Sequence, residues 1–207
     1  YAIRARLALK SVGITVALRE ILLRDKPDDF LAVSKSATVP VLELRDGRVI
    51  EESLDSLVWA LQEGGDPAGW LSAWSLRKQE TQAFWAELDG EIKTDLDRYK
   101  YASRYALGTQ SALELANAHR DRGCAFLTRI EERLAKEPFV NAGAPGREDY
   151  AAFPFVRQFR IADMKWFDDQ NWPFLQKWLQ TFLHSLIFKD VRFKYKPWVP
   201  GTTPIIF

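Results

Sequence analysis

The 207-residue sequence has few of the side chains that build covalent cross-links and metal sites, with one Cys and two His. A single Cys excludes an internal disulfide and any zinc site made of several thiolates. His119 and His184 lie far apart in the sequence, and no carboxylate context supports them as a pair. We therefore predict that the protein holds no metal.

A strong net charge and long apolar runs are also missing. Lys and Arg number 29 against 28 Asp and Glu, so the formal net charge is +1. A protein that neutralises nucleic-acid phosphates usually carries a larger basic excess. No apolar run approaches the roughly 20 residues that cross a bilayer, and no signal-peptide pattern opens the chain. We predict no nucleic-acid or membrane partner, and a reducing cytoplasm as the compartment.

The first 63 residues combine short elements of both types. Apolar spacing and turn residues predict the order helix, strand, helix, strand, strand, helix. These elements cover residues 1–12, 15–23, 27–34, 39–44, 48–50 and 53–62. Asp46-Gly47 between two apolar runs is a strong hairpin signal. A mixed sheet of this kind normally has a strand before its first helix, so we expect that strand to be absent from this chain.

The residues after Gly64-Gly65-Asp66-Pro67, a sequence typical of a linker, are helical in pattern. The predicted helices cover about 75–105, with a bend near Gly90, and 111–136, 148–163 and 172–186. We predict the α+β fold class. A small domain covers residues 1–63, a linker 64–75, and an all-helical domain with an irregular tail 76–207.

Val39-Pro40 stands where a strand begins. One interpretation is that Pro is tolerated there because it need not donate to a strand ladder. The other is a cis Val39–Pro40 bond, with the N–H and C=O of Val39 pointing outward to pair with an extended peptide ligand. The residues alone leave both open.

Glu52 and Ser53 lie where the second hairpin strand ends and a helix begins. Ser is a good N-cap, and caps of this kind are common. The same physics also suits a ligand, because a helix N-terminus with a hydroxyl beside it binds a carboxylate. A neighbouring Glu52 can hold an adjacent ammonium. Together the two would recognise an α-amino-acid head group.

Residues 1–7 (YAIRARL), 39–42 (VPVL) and 52–55 (ESLD) resemble the glutathione S-transferase superfamily, and the nearest branch is the omega-like, cysteine-type bacterial one. In the second half, residues 97–101, 104–105, 149–151 and 153–159 are similar to the family's helical domain. The resemblance covers essentially the whole chain. It implies a thioredoxin-like domain followed by a helical bundle, and a homodimer.

The resemblance also implies a binding site for glutathione as co-substrate. Val39 would pair with the cysteinyl backbone of glutathione, and Glu52 and Ser53 would bind its γ-glutamyl end. Lys26 matches a lysine that reaches the glycine carboxylate, although a solvated surface lysine is an equal interpretation. Tyr99 and Tyr101 lie on a helix that partly lines the second-substrate cleft of related proteins, and a solvated or interfacial role is the alternative.

This chain departs from the family pattern at two places. The expected catalytic Cys would lie two positions before Tyr1, so the catalytic residue is unknown here. Cys124, the one thiol present, we interpret as structural. The family's central helix usually opens with a Ser or Thr cap, whereas Gly146 stands here with Asp149 kept. Gly is a weaker but acceptable N-cap, so we expect the fold to survive.

We predict an enzyme, a glutathione transferase that carries out thiol transfer or reduction on an apolar or glutathionylated substrate. The eight Trp fit either a large core or an apolar cleft, and the second substrate cannot be deduced. The alternative is a non-enzymatic interaction protein on the same fold, like the stringent-starvation proteins, because a fold does not fix a function.

Overall fold

The structure is a computed structural model that describes residues 1–66, 69–71, 78–108, 111–141 and 143–207. The chain packs as two compact units. One unit contains Tyr1–Leu71 together with Ser185–Phe207, and the other contains Ser72–His184. No helix among the described residues is both long enough and apolar enough to cross a bilayer.

The first unit has the predicted order of elements. Its helices and strands are α1 (Ala2–Ser11), β1 (Ala17–Leu18), α2 (Asp28–Val33), β2 (Leu42–Glu43), β3 (Val49–Ile50) and α3 (Ser53–Glu63), and the C-terminal segment adds α10 (Leu186–Val191) and β4 (Ile205–Ile206). The strands are shorter than the sequence predicts, because only two residues of each run form a ladder with a partner.

The core of this unit lies between α1 and α3. Leu7, Ala8, Leu57 and Leu61 are almost fully buried there, and Leu57 and Leu61, four residues apart, share one face of α3. Each buried Leu contributes about 2 kcal/mol from apolar surface removed from water. The α1–α3 contact therefore holds the N-terminal end of α3 in place against α1.

Strands β2 and β3 form the predicted hairpin. Leu42 pairs with Ile50 in antiparallel register, and Gly47 has a φ of 84° in the turn, a backbone angle that favours glycine. The backbone N–H and the guanidinium of Arg48 both donate to Asp46 and lower the pKa of that carboxyl. The hairpin brings the beginning of β2 and the end of β3 to one edge.

The C-terminal segment packs against the first unit, whereas the sequence placed it with the helical half. Strand β4 pairs antiparallel with β1, with Ala17 opposite Ile206. The N–H and C=O of Phe207 bond Val16 at 3.0 Å each. Helix α10 contacts α1 and buries Phe188. Backbone pairing between residues almost 190 positions apart leaves no local sequence pattern, so this placement could not be predicted.

The helices of the second unit account for most of its described part. Its elements are α4 (Lys78–Glu87), a π-helical turn (Leu88–Ile92), α5 (Lys93–Lys100), a 3-10 turn (Ala102–Arg104), α6 (Ala112–Leu134), α7 (Arg147–Ala162), α8 (Met164–Asp168) and α9 (Pro173–His184). The predicted first residues of this half, 75–77, lie outside the described residues. A π-helical turn, which interrupts an α-helix locally, lies where the bend near Gly90 was predicted, and the bend itself stays a prediction.

The carboxylate of Asp149 organises the start of the long central helix α7. It accepts from the backbone N–H groups of Val140, Asn141 and Gly146, and from the indole N–H of Trp178, at 2.7–3.0 Å. Burial raises the pKa of Asp149, and the four donors oppose that rise. Gly146 is the N-cap of α7, so the helix begins as expected without a Ser or Thr there.

Candidate functional site

The peptide bond between Val39 and Pro40 is cis, which confirms the cis bond of the second interpretation, while pairing of Val39 with a ligand stays a prediction. Val39 precedes the paired part of β2 and is partly exposed. Within the described residues, neither its backbone N–H nor its C=O has a hydrogen-bond partner. An unpaired donor and acceptor on one residue can form the two hydrogen bonds by which an extended peptide adds to a strand.

Helix α3 begins at Ser53, and the N-cap is Glu52 instead of the predicted Ser53. Glu52 has extended backbone angles, φ −98° and ψ 137°, and its C=O accepts the first helical bond from the N–H of Ser56. No side chain caps this end. The carbonyls four residues before the first-turn N–H groups lie outside the helix, so these N–H groups have no partner within it. They are donors suited to an anion.

The hydroxyl of Ser53 accepts from Nη1 of Arg4 at 3.3 Å. Both residues are buried, and Arg4 is only 1% exposed. The hydroxyl proton of Ser53 therefore stays free to donate to a ligand, with a guanidinium directly behind it. Arg4 lies three and four residues before Leu7 and Ala8, and this spacing places it on their buried face of α1.

Glu52 and Lys26 are the two charged groups of the predicted site. Glu52 is exposed and Lys26 partly so. Neither side chain has a hydrogen bond or ion pair elsewhere in the described chain. Lys26 lies between the bridge that joins Leu22 to Asp25 and the start of α2. A free carboxylate and a free ammonium are both able to pair with charges on a ligand.

Glu51 is a residue that the sequence did not single out. Its Oε1 accepts from the backbone N–H of Ser36 at 2.9 Å, the hydroxyl of Ser36 at 2.8 Å and the hydroxyl of Ser34 at 2.9 Å. These donors, the backbone N–H of Ser36 first, lower the pKa of Glu51. The carboxylate thus links the segment before Val39 to the segment before Ser53.

The structure therefore brings Val39, Glu52 and Ser53 to one edge of the first unit. The β2–β3 register places the start of one strand beside the end of the other, and the Glu51 bonds hold the adjoining loop there. For Lys26, no hydrogen bond connects it to the other three within the described residues, so its place in the site stays a prediction.

Tyr99 and Tyr101 both belong to the second unit. Tyr99 is buried, with its ring 5.9 Å from Phe159 and 6.4 Å, edge-on, from Trp166. Burial is the main cause that raises the pKa of Tyr99 to about 12. Tyr101 is exposed and lies beneath the side chains of Lys100 and Arg104. The ligand role of Tyr99 and Tyr101 stays a prediction.

Cys124 lies on α6, partly buried and unbonded to another cysteine. Burial, with a smaller contribution from Asp121, raises the pKa of its thiol. A raised pKa lowers the thiolate fraction at neutral pH, as expected for a structural cysteine. Across the described ranges there is no group of three or more His, Cys, Asp or Glu able to hold a metal ion.

Comparison with known proteins gives a family match for the first unit. Residues 1–62 match the family model of the glutathione S-transferase N-terminal domain. No curated protein matches the chain.

Solved structures match nearly the whole chain. A glutathione S-transferase of class Gtt2 from Vibrio parahaemolyticus has 17% identity and a TM-score of 0.73, over 91% of this chain and 90% of that one. Gtt2 from Saccharomyces cerevisiae has 20% identity and a TM-score of 0.68, over 92% and 95%. A glutathione transferase family member from Pseudomonas fluorescens, solved with two glutathione bound, has 13% identity and a TM-score of 0.71, over 91% and 86%.

These likenesses show the fold class predicted from the sequence, a thioredoxin-like N-terminal domain followed by a helical domain. The family model covers residues 1–62, and the structural likenesses, at 13–20% identity, show the fold alone. The glutathione S-transferase superfamily and its omega-like branch therefore stay predictions for the whole chain.

Proposed function

We propose that the chain binds glutathione at the edge formed by Val39, Glu52 and Ser53 and supports glutathione-dependent thiol transfer. The observation that carries this proposal is the juxtaposition of an unpaired Val39 backbone with an uncapped helix N-terminus whose first hydroxyl is backed by Arg4. The family match of residues 1–62 and the glutathione-bound relatives of the same fold support it.

The charges of the site complement those of the ligand. Glutathione carries two carboxylates and one ammonium near neutral pH. In our proposal the γ-glutamyl carboxylate accepts from Ser53 and the first-turn N–H groups, with Arg4 behind them. Glu52 accepts from the ammonium, and Lys26 reaches the glycine carboxylate. The cysteinyl amide pairs with the backbone of Val39, which leaves its thiol free.

The chemistry that we propose is thiol–disulfide exchange on a glutathionylated substrate. A protein thiolate attacks the glutathionyl sulfur of the mixed disulfide, and the substrate leaves as its thiolate. A second glutathione thiolate then releases oxidised glutathione and restores the protein thiolate. The resemblance assigns the attacking sulfur to a cysteine two positions before Tyr1. Cys124 fits that role poorly, because its pKa is raised.

The second substrate and the oligomer stay predictions. Tyr99 and Tyr101 remain the candidates for contact with an apolar second substrate, and a homodimer is what the resemblance implies. Size-exclusion chromatography with light scattering measures the oligomer directly.

Isothermal calorimetry with reduced glutathione tests the binding proposal. We expect the unchanged chain to bind, and Ser53→Ala to lose about 1–3 kcal/mol of binding free energy through the missing hydrogen bond to a charged group. Glu63→Ala is the matched control, an exposed residue at the other end of α3, and should leave affinity unchanged. No heat of binding to the unchanged chain, or equal affinity for Ser53→Ala, would contradict the proposal.

A further inference from the structure

Glu51 makes a compact set of hydrogen bonds that reaches across the fold of the first unit. One oxygen, Oε1, receives three donors from Ser34 and Ser36, at 2.8–2.9 Å. These serines lie 17 and 15 positions earlier in the sequence. The hydroxyl of Ser36 also lies 2.7 Å from that of Thr38. We call these four residues the Glu51 clasp.

The clasp joins the two parts of the proposed glutathione site. Thr38 directly precedes Val39, whose backbone is the proposed partner of the ligand peptide. Glu51 directly precedes Glu52 and Ser53, which are the proposed partners of the γ-glutamyl end. The distance between these two sets of ligand contacts therefore depends on the bonds between residue 51 and residues 34–36.

Few other hydrogen bonds of the described structure hold residues 34–38. Apart from the clasp, the N–H of Ser34 bonds Phe30 at 2.9 Å, and the N–H of Ala37 bonds Ser34 at 3.4 Å. Both bonds are local, so neither ties the loop to α3. Loss of the Glu51 carboxylate would leave the N–H of Ser36 and two hydroxyls without their acceptor.

We propose that Glu51 is a positioning residue for the glutathione site, and that it acts by accepting the Ser34 and Ser36 donors. This inference rests on the function proposed above. A loop that is already held in its binding conformation avoids the cost of ordering when the ligand binds. The carboxylate contacts protein donors, so the glutathione site gains its geometry from Glu51 without a direct contact to the ligand.

A direct role for Glu51 would give a different mutational pattern. If its charge held the ligand ammonium, Glu51→Gln and Glu51→Ala would weaken binding equally, because both lack the charge. If Glu51 acts as an acceptor for the loop, Gln retains a carbonyl oxygen for the same donors. Rescue by Gln therefore separates positioning from direct binding.

The experiment is calorimetry with reduced glutathione on the unchanged chain, Glu51→Ala, Glu51→Gln and the control Glu63→Ala, at a temperature where all four are folded. We expect Glu51→Ala to weaken binding about tenfold or more, the loss expected for hydrogen bonds to a charged group. Glu51→Gln should stay within about threefold of the unchanged chain, since neutral hydrogen bonds are weaker than charge-assisted ones but still form. Hydrogen exchange at the N–H of Ser36 should be faster in Glu51→Ala than in Glu51→Gln.

The outcomes separate the two proposals. If the unchanged chain does not bind glutathione, the proposed function and this inference both fail. If it binds and Glu51→Ala binds as well as the unchanged chain, only the role of Glu51 is overturned. Equal loss for Ala and Gln also overturns positioning, in favour of direct contact. If Glu51→Ala does not fold, Ser34→Ala/Ser36→Ala takes its place, and unchanged affinity in that variant overturns the inference.

Discussion

Arg4 and Ser53 are two buried side chains joined across the α1–α3 contact, with Nη1 of Arg4 donating to Oγ of Ser53 at 3.3 Å. This bond places a positive charge behind the first hydroxyl of α3, where the helix itself presents unpaired N–H groups. The charge of Arg4, the hydroxyl of Ser53 and the helix terminus thus act on the same point. The first prediction concerns this pair.

We expect Arg4→Met to lower the free energy of unfolding by about 1–3 kcal/mol, because the side chain keeps a similar volume but leaves buried polar groups without their partner. Arg48→Met is the control. Arg48 is exposed, and among the described residues its side chain pairs with Asp46 alone, so its replacement should cost no more than about 0.5 kcal/mol. Urea unfolding measures both. Equal effects of the two substitutions would show that the buried bond contributes nothing.

The last two residues of the chain give a matched pair for a second prediction. Phe207 is 8% exposed and its neighbour Ile206 is 71% exposed, although both lie in the segment that pairs with residues 16–18. The Phe207 ring lies under Arg6 and Lys10. We expect Phe207→Ala to cost about 3 kcal/mol of stability and Ile206→Ala within about 0.5 kcal/mol, by urea unfolding. Similar losses would mean that only the backbone pairing matters.

The order of elements in the first unit could be predicted because its signals are local. Apolar spacing marked α1 and α3, and the Asp46-Gly47 turn marked the hairpin. The strand-initial Val-Pro gave the cis bond only as one of two interpretations. The same local reasoning misplaced the cap of α3 by one residue. Ser53 is the first residue of α3 and not its N-cap. Its hydroxyl oxygen accepts a hydrogen bond from the buried Arg4 and does not cap the helix.

The remaining features depend on contacts between distant parts of the chain. The burial of Arg4 depends on α3, the placement of the tail depends on β1, and the role of Glu51 depends on a loop 15 or more residues earlier. The run of β-forming residues over 15–23 gives only the two-residue strand Ala17–Leu18, because strand length is set by the partner available. No local pattern identifies the strand partner of the tail or the serine partners of Glu51.

The third prediction concerns the pH dependence that Glu51 gives to stability. Its pKa is lowered from 4.5 by the serine donors, so the folded state binds this proton less readily than the unfolded state. The stabilisation is therefore complete above about pH 4.5 and is lost as the pH falls through the lowered pKa. We expect the difference in unfolding free energy between the unchanged chain and Glu51→Gln to be constant above that pH and to shrink below it.

Urea unfolding at a series of pH values, from about 7 down to about 3, measures that difference. Other carboxylates titrate in the same range, but they are shared by both proteins and cancel in the comparison. Glu43→Gln, at an exposed residue of β2, is the control for loss of one exposed carboxylate, and at about pH 7 its unfolding free energy should stay within about 0.5 kcal/mol of the unchanged chain. A difference for Glu51→Gln that does not change over the whole range would show that its carboxylate is not stabilised by these donors.

The last prediction concerns the thiol of Cys124. Its pKa is raised from 9.0, chiefly by burial, so the thiolate that attacks a disulfide is scarce near neutral pH. We expect the folded chain, treated with oxidised glutathione at about pH 7.5, to form almost no mixed disulfide at Cys124. The same treatment in urea exposes the thiol and should give one glutathionyl adduct on the peptide that contains it. Mass spectrometry of the digested protein measures both. Rapid modification of Cys124 in the folded chain would show that its surroundings activate the thiol, and Cys124 would then be the candidate nucleophile.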